Sequence, residues 1–493
     1  MHRAACRRRG ERQAACRGRR GGERRAACKR RCRRLARTLF TAARQQRHAC
    51  ARACAIFTPV SSHQFTHHVL REAYLMDRET VGKNIPGATA ITRRGFLASA
   101  AALACASALA GCDAVGPQVT DPTDYLVEHV RSYDPHGELE VDALGDLGCY
   151  QLILTGEMHA IVQNFDVQLM LIRYLNRHWD LRYIVAELGL GASIYLNRYL
   201  ETGDNALLDD IMNQLSGTAS YTVEQRVFYQ KLYEYNVGLP DEQKLRVIGL
   251  DVDHQGALWL SGLALLLPDT PPEDEVAARL YELIGRLAQE GDYLAAHMLL
   301  ASEKSVAPDL IDQVFGKQCE LARQVIKNFD AALHFYNVLE GDVEWALRDE
   351  VMEQNFLYVR ERLPFEHFYG QFGSAHVAQH DYVPGEFKDG LPFAARLNAD
   401  GSPMQGKVCS IPLMYTDENG SVGQNIAAHL TDDLFGAYWG MNLIFDLADE
   451  PSPFAQDICL AVRRRDDAVG TLDYYQKMIF VADLTQAEAL DEA

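Results

Sequence analysis

The residues best suited to chemistry close short apolar runs. Tyr150-Gln-Leu-Ile-Leu-Thr-Gly-Glu-Met-His159 delivers Glu157 and His159 together. Tyr183-Ile-Val-Ala-Glu187 ends on a carboxylate, and Leu245-Arg-Val-Ile-Gly-Leu-Asp-Val-Asp-His254 ends on two aspartates and a histidine. Phe368-Tyr-Gly-Gln-Phe-Gly-Ser-Ala-His376 ends on a second imidazole. An imidazole titrates near neutrality, so it can take a proton from water and return it. His159 is therefore the general-base candidate, with Glu157 or Glu187 fixing its tautomer. His376 is the group to polarise a carbonyl or protonate a leaving group. Asp251 and His254 are candidates for substrate binding. Each has a plainer reading: His159 as a helix cap, Glu187 as partner of an amide or arginine, Asp251 and above all Asp253 as a helix N-cap. Glu157, His159, Glu187 and His376 also form a donor set suited to zinc or manganese, although no His-Glu-x-x-His helix accompanies them. The chain has no Gly-x-Ser-x-Gly elbow, so no serine nucleophile is invoked.

Positioning these groups requires strands whose carboxyl ends meet, which is where open α/β sheets place ligands. Strand-like runs at 149–154, 183–187 and 245–250 alternate with helical patterns at 164–179, 193–200 and 223–235. In the first helix Phe165, Leu169, Ile172 and Leu175 share one face. Alternation at this spacing predicts βαβ units and a central, mostly parallel sheet flanked by helices. Residues 256–360 read as almost entirely helical, including 273–288 and 310–339, and form a large helical insertion. Strands return near 367–373, 408–414, 457–463 and 477–482, with a loop at 384–406. The expectation is one α/β domain over 138–493.

Four phrases together resemble the superfamily of erythromycin esterase-like proteins, ChaN-like haem-uptake lipoproteins and Tiki/TraB proteins. They are Gly156-Glu157-Met158-His159, the run from Glu187 to Asp204, Arg348-Asp349-x-x-Met352-x-x-Asn355, and Gly373-Ser-Ala-His376. A single residue separates Glu157 from His159, as in the haem-uptake branch, whereas the esterase branch uses two. The resemblance implies three functions. In the first, His159 activates water to attack an ester or lactone of a small molecule, with no covalent intermediate and no cofactor; Arg348 grips a substrate carboxylate or forms a structural ion pair with Asp349. In the second, the protein binds haem through an exposed ligand such as Tyr195, Tyr199 or Tyr221. In the third, a divalent metal sits on Glu157, His159, Glu187 and His376.

The N-terminal region concerns the address. Thr92-Arg-Arg-Gly-Phe-Leu97 carries a twin arginine, and an apolar, small-residue stretch then runs to Leu109-Ala-Gly-Cys112. These are the parts of a Tat signal ending in a lipobox, over 76–112, with Cys112 as the lipidated residue. The expected product is an exported lipoprotein of the cell membrane, facing out of the cytoplasm, with 113–137 as a tether. Residues 1–54 hold 19 Lys+Arg against two Glu and no apolar periodicity, a composition that cannot build a core. We expect translation to begin at Met76, with 1–75 an extension outside the functional protein. Of 49 Lys+Arg and 67 Asp+Glu, residues 1–111 hold 24 and five, which leaves a net charge of −37 from Cys112 onward. That balance argues against nucleic acid as a partner. Cys149, Cys319, Cys409 and Cys459 allow two disulfides in three pairings, or buried free thiols.

Overall fold

A computed structural model describes residues 121–306, 309–337, 345–380, 391–416, 432–456 and 470–490, all within the unit Asp113–Ala493. Cys112, Cys459 and the strand expected near 457–463 lie outside the described residues. The elements begin with helix α1 (Pro122–His129), strand β1 (Val130–Ser132), β2 (Leu152–Glu157), α2 (Val162–His178), β3 (Tyr183–Gly189) and α3 (Leu190–Thr202). Then come α4 (Asn205–Gln214), α5 (Val223–Val237) and β4 (Arg246–Asp251). The insertion follows as α6 (Gly256–Ala264), α7 (Glu275–Glu290), α8 (Tyr293–Val306), α9 (Leu310–Phe315), α10 (Cys319–Asn337) and α11 (Trp345–Arg360). The chain then forms β5 (Phe368–Gly373), α12 (Phe393–Asn398), β6 (Val408–Thr416), α13 (Asp432–Phe435), β7 (Leu443–Asp446) and β8 (Lys477–Ala482).

The described strands form one sheet in the order β1-β7-β8-β6-β2-β5-β3-β4. Pairing is parallel throughout except along β7, which runs against β1 and β8. The fold is therefore the expected α/β class, with a mostly parallel sheet, flanking helices and a helical insertion between β4 and β5. Alternation along β2 feeds two cores. Leu152 and Leu154 of β2 join the core that packs the insertion helices, while Ile153 joins the core under α2, α3 and α5. Because β5 enters between β2 and β3, the four strand ends picked out by their acids and imidazoles are consecutive neighbours in the sheet. No described helix is long and apolar enough to cross a membrane.

Several boundaries differ from the sequence reading. Residues 121–132, expected in the tether, form α1 and β1; Asp121 caps the helix through the Thr123 amide at 2.8 Å, and Tyr125 and Leu126 are buried. The first strand begins at Leu152 rather than 149, so Glu157 is its last residue. The expected helix 310–339 is interrupted at Gly316, whose φ of 53° lies in the left-handed region. The stretch 384–406 contains α12. Among the described residues Cys149, Cys319 and Cys409 are free thiols.

Asp253 caps a helix, though not the one that follows it. The N-cap of α3 is Gly189, which has no side chain to offer. Asp253 reaches across from the end of β4 and accepts from the Gly191 and Ala192 amides at 3.3 and 3.2 Å. A Cβ on Gly189 would lie 2.1 Å from Asp253 Oδ1, so only glycine fits there. Burial pushes the Asp253 carboxyl up to about 6, against the hydrogen bonds from Asn328 and the two amides. Removing the acceptor strands the first amides of a buried helix. Asp253→Ala should therefore cost about 1–3 kcal/mol, read as a lower urea midpoint, with Asp253→Asn retaining part of the loss.

Candidate active site

The turn after β2 is pinned from three sides. Gln371 of β5 donates to Glu157 Oε2 at 2.6 Å and to the Asn164 carbonyl at 3.2 Å. Asn164 of α2 donates to the Met158 carbonyl at 2.7 Å. The Tyr415 hydroxyl of β6 accepts from the Met158 amide at 3.1 Å and donates to the Asn164 side-chain oxygen. Ala160, directly after His159, has a φ of 59°, a left-handed conformation that costs a non-glycine residue about 1–2 kcal/mol. Its carbonyl is held by the Ala487 amide and Gln486 Nε2, both at 2.8 Å. The C-terminal segment thereby locks the direction in which His159 points.

His159 Nδ1 lies 2.9 Å from Glu157 Oε1. A carboxylate accepts, so in the neutral ring Nδ1 carries the proton and Nε2 presents its lone pair. Gly373, the last residue of β5, makes room for the ring. A Cβ there would stand 3.0 Å from His159 Nε2 and 3.5 Å from Glu187 Oε2. Burial works against a charged His159, but the hydrogen bond to Glu157 and the Glu187 and Glu157 carboxylates outweigh it and raise the imidazole to about 9. Half of the side chain (51%) is exposed, so solvent screens part of that shift.

Behind this turn is a buried charge cluster centred on Arg348. Its Nε donates to Asp251 Oδ1 and Oδ2 at 3.1 and 3.2 Å, and its Nη2 donates to Asp251 and, at 2.6 Å, to Glu187 Oε1. Glu187 Oε2 accepts from the Gly373 amide at 2.9 Å. Burial alone would raise both carboxyls, yet both lie well below the usual range. His376 and Arg348 hold Glu187 down, and Arg348 and His254 hold Asp251 down. His376 places Nδ1 2.8 Å from Asp349 Oδ1 and Nε2 3.5 Å from Glu187 Oε1. Burial opposes its charge, but these two carboxylates raise His376 to about 10. Asp349 also accepts from the Phe393 amide at 2.7 Å, which ties α12 to the cluster.

The strand ends and α11 thus bring Glu157, His159, Glu187, Asp251, His254, Arg348 and His376 together. Asp251 is fully buried, held by Arg348 and His254. Arg348 is 7% exposed and pairs with Asp251 and Glu187. Both nitrogens of His376 face carboxylates, Nδ1 that of Asp349 and Nε2 that of Glu187. Tyr199, expected as an exposed haem ligand, is 2% exposed and packs against Tyr233. Among the described residues no group of three His, Cys, Asp or Glu side chains is arranged to hold a metal ion; the cation facing Glu187 and Asp251 is Arg348. The sequence reading missed Gln371, Asn164, Tyr415, Asn328 and Tyr336, polar groups within apolar or helical runs that only the fold aims at the strand ends. Two surface hollows of about 380 and 450 Å³ lie elsewhere, one beside Arg173 and Arg177, the other beside Leu300 and Tyr358.

Comparison with known proteins bears on the fold. No family model matches the chain, and no curated protein matches it. Among solved structures it is similar to a Bacillus cereus protein (13% identity, TM-score 0.52, covering 76% of this chain and all of that one). It is also similar to a succinoglycan biosynthesis protein (12%, TM-score 0.52, 75% of this chain and 98% of that one). A mutant of the erythromycin esterase EreC in its open conformation aligns at 15% identity and TM-score 0.47, over 70% of this chain and 93% of that one. The first two likenesses define this chain as an α/β protein of their fold.

Two outcomes follow from the buried charges. Arg348→Leu leaves two carboxylates without their cation and should destabilise by about 3–5 kcal/mol, measured by chemical denaturation at pH 7. His376 has a raised folded value, so its contribution is complete below about 6.5 and is lost as pH rises through about 10. The stability difference between the parent and His376→Asn should shrink across that window.

Proposed function

We propose that this chain is a hydrolase that adds water to an ester or lactone of a small molecule, with His159 as general base. The observation that carries the reading is the His159 imidazole: Nδ1 is held by Glu157, the side chain is half exposed, and Nε2 is turned towards the end of β5 beside Glu187. Water beside Nε2 gives up a proton as its oxygen attacks the ester carbonyl. The imidazolium then returns that proton to the departing alkoxide as the carbon–oxygen bond breaks. Glu187, kept ionised by His376 and Arg348, stabilises the transient positive charge on His159. Glu157 fixes the ring and its tautomer. This supports a metal-free route, because the carboxylates are engaged with arginine and imidazole. From its sequence we further propose export by the Tat route and anchoring through a lipid on Cys112; Cys112→Ser should move the protein from the membrane to the soluble fraction.

Turnover of an ester and lactone panel by the domain from Asp113 tests the reading. His159→Ala should lose at least about a hundredfold in kcat/KM, and chelator should leave the parent's rate unchanged. Loss of activity with chelator would transfer the reaction to a divalent-metal hydrolase. No turnover in any case, with haem binding on titration, would make the protein a haem-capture lipoprotein. The base must be neutral to act, so kcat/KM should climb with pH between the ordinary imidazole value near 6.5 and about 9. Glu157→Gln should move that limb towards acid, since it removes an anion that favours the imidazolium.

A further inference from the structure

The hollow beside Arg173 holds a cation that the fold leaves without a partner. It encloses about 380 Å³ between the C-terminal half of α2, the loop 136–139 and Tyr235 of α5. Hydrogen bonds fix its walls. The Tyr174 hydroxyl donates to the Val141 carbonyl at 2.6 Å, which straps the loop onto α2. The Tyr235 hydroxyl donates to Asn176 Oδ1 at 2.9 Å, which holds its ring in place. Leu139, Met170 and the two tyrosine rings supply the apolar part of the lining.

The charges around the hollow pair off, with one left over. Arg177 donates to Glu138 at 2.6 Å. Asp166 faces Lys231 at 3.5 Å and His136 at 3.7 Å. Arg173 is half-buried and lies over the Tyr235 ring, 5.6 Å from its centroid, yet among the described residues no carboxylate pairs with it. Its place on α2 does not account for it. A cation complements the helix dipole within the last turn, which holds Arg177 and His178; Arg173 stands more than a turn further back. Stacking on Tyr235 steadies the guanidinium but leaves its N–H donors without an acceptor. In a chain of net charge −37 from Cys112 onward, a guanidinium kept clear of every described carboxylate is available to an anion from outside.

The lining sets the class of that anion. A guanidinium matches a carboxylate through two parallel N–H···O bonds. Tyrosine rings and a thioether favour an aromatic face. The volume lies at the lower end for small-molecule sites. We propose that this hollow binds a small aromatic carboxylate, with the carboxylate on Arg173 and the ring against Leu139, Met170 and Tyr174. The hollow lies towards the other end of α2 from the His159 turn, so the inference does not depend on the ester-hydrolase reading.

The test titrates the full-length protein with 2-naphthoate by saturation-transfer NMR, beside 2-naphthamide, which has the same rings without the charge. The carboxylate should bind saturably and about tenfold more tightly than the amide, and an equal concentration of inorganic phosphate should not displace it. Arg173→Gln should remove that tenfold preference. Leu139→Trp should fill the hollow and abolish binding of both compounds. An unchanged thermal midpoint will show that each variant folds; should Arg173→Gln lower it, Leu139→Trp, which keeps the guanidinium, decides. His159→Ala should bind as the parent does. Absence of saturable binding, equal affinity for the amide, displacement by phosphate, binding that survives in Leu139→Trp, or binding lost in His159→Ala would each overturn the proposal.

Discussion

The site depends on one guanidinium. Glu187 ends β3, Asp251 ends β4, and both carboxylates are kept ionised in a region almost without solvent, where an isolated anion would neutralise itself instead. Arg348 allows them to stay charged. It is held by α11, the last helix of the insertion, so the same ion pairs that keep Glu187 anionic also fix where the insertion rests on the strand ends. An apolar contact of equal size would pack as well without setting a register. The arginine fork, engaged on two carboxylates from different strands, admits far fewer arrangements.

Neutral amides extend that specification. Asn355 donates to the Leu250 carbonyl and to Asn328 Oδ1, at 2.7 and 2.8 Å. Asn328 donates to the Asp251 carbonyl and to Asp253 Oδ2, at 2.8 and 2.9 Å. Two insertion helices therefore read the backbone at the end of β4 directly, and the buried polar groups there are satisfied by one another. Glu187, which would be a liability beside an apolar helix, becomes a fixed negative potential beneath His159.

The fold and the membership of the site were legible in the sequence because both depend on strong local signals. Apolar runs ending in Glu157, Glu187, Asp251 or Gly373 announce parallel strands, and the long helical stretch between the third and fourth announces the insertion. The roles were less legible, because a role depends on exposure and aim. Arg348 and Asp349 are neighbours in sequence but leave α11 towards opposite partners. Asp253 looked like the cap of the helix that follows it and caps α3 instead, through a glycine that leaves the post open. Residues 130–132 and 443–446 are too short for periodicity to show. They become strands only because β8 offers an edge on which β7, and then β1, can pair. Tyr336 carried no signal at all: a tyrosine late in a helix is ordinary until the fold sets His254 beside it.

The place of β5 has a consequence for how the molecule comes into being. Phe368 pairs with both Leu152 and Tyr183, so β2 and β3 never touch and stand two strand spacings apart, about 9–10 Å. The gap stays open until the whole insertion has been synthesised and the chain has returned. Contacts spanning so much sequence carry a heavy loop-closure cost and slow the search for the native state. Throughout that interval β2 and β3 expose unpaired backbone to any other extended chain. The arrangement that sets four polar strand ends side by side is also the one that leaves the growing polypeptide longest exposed to misassociation.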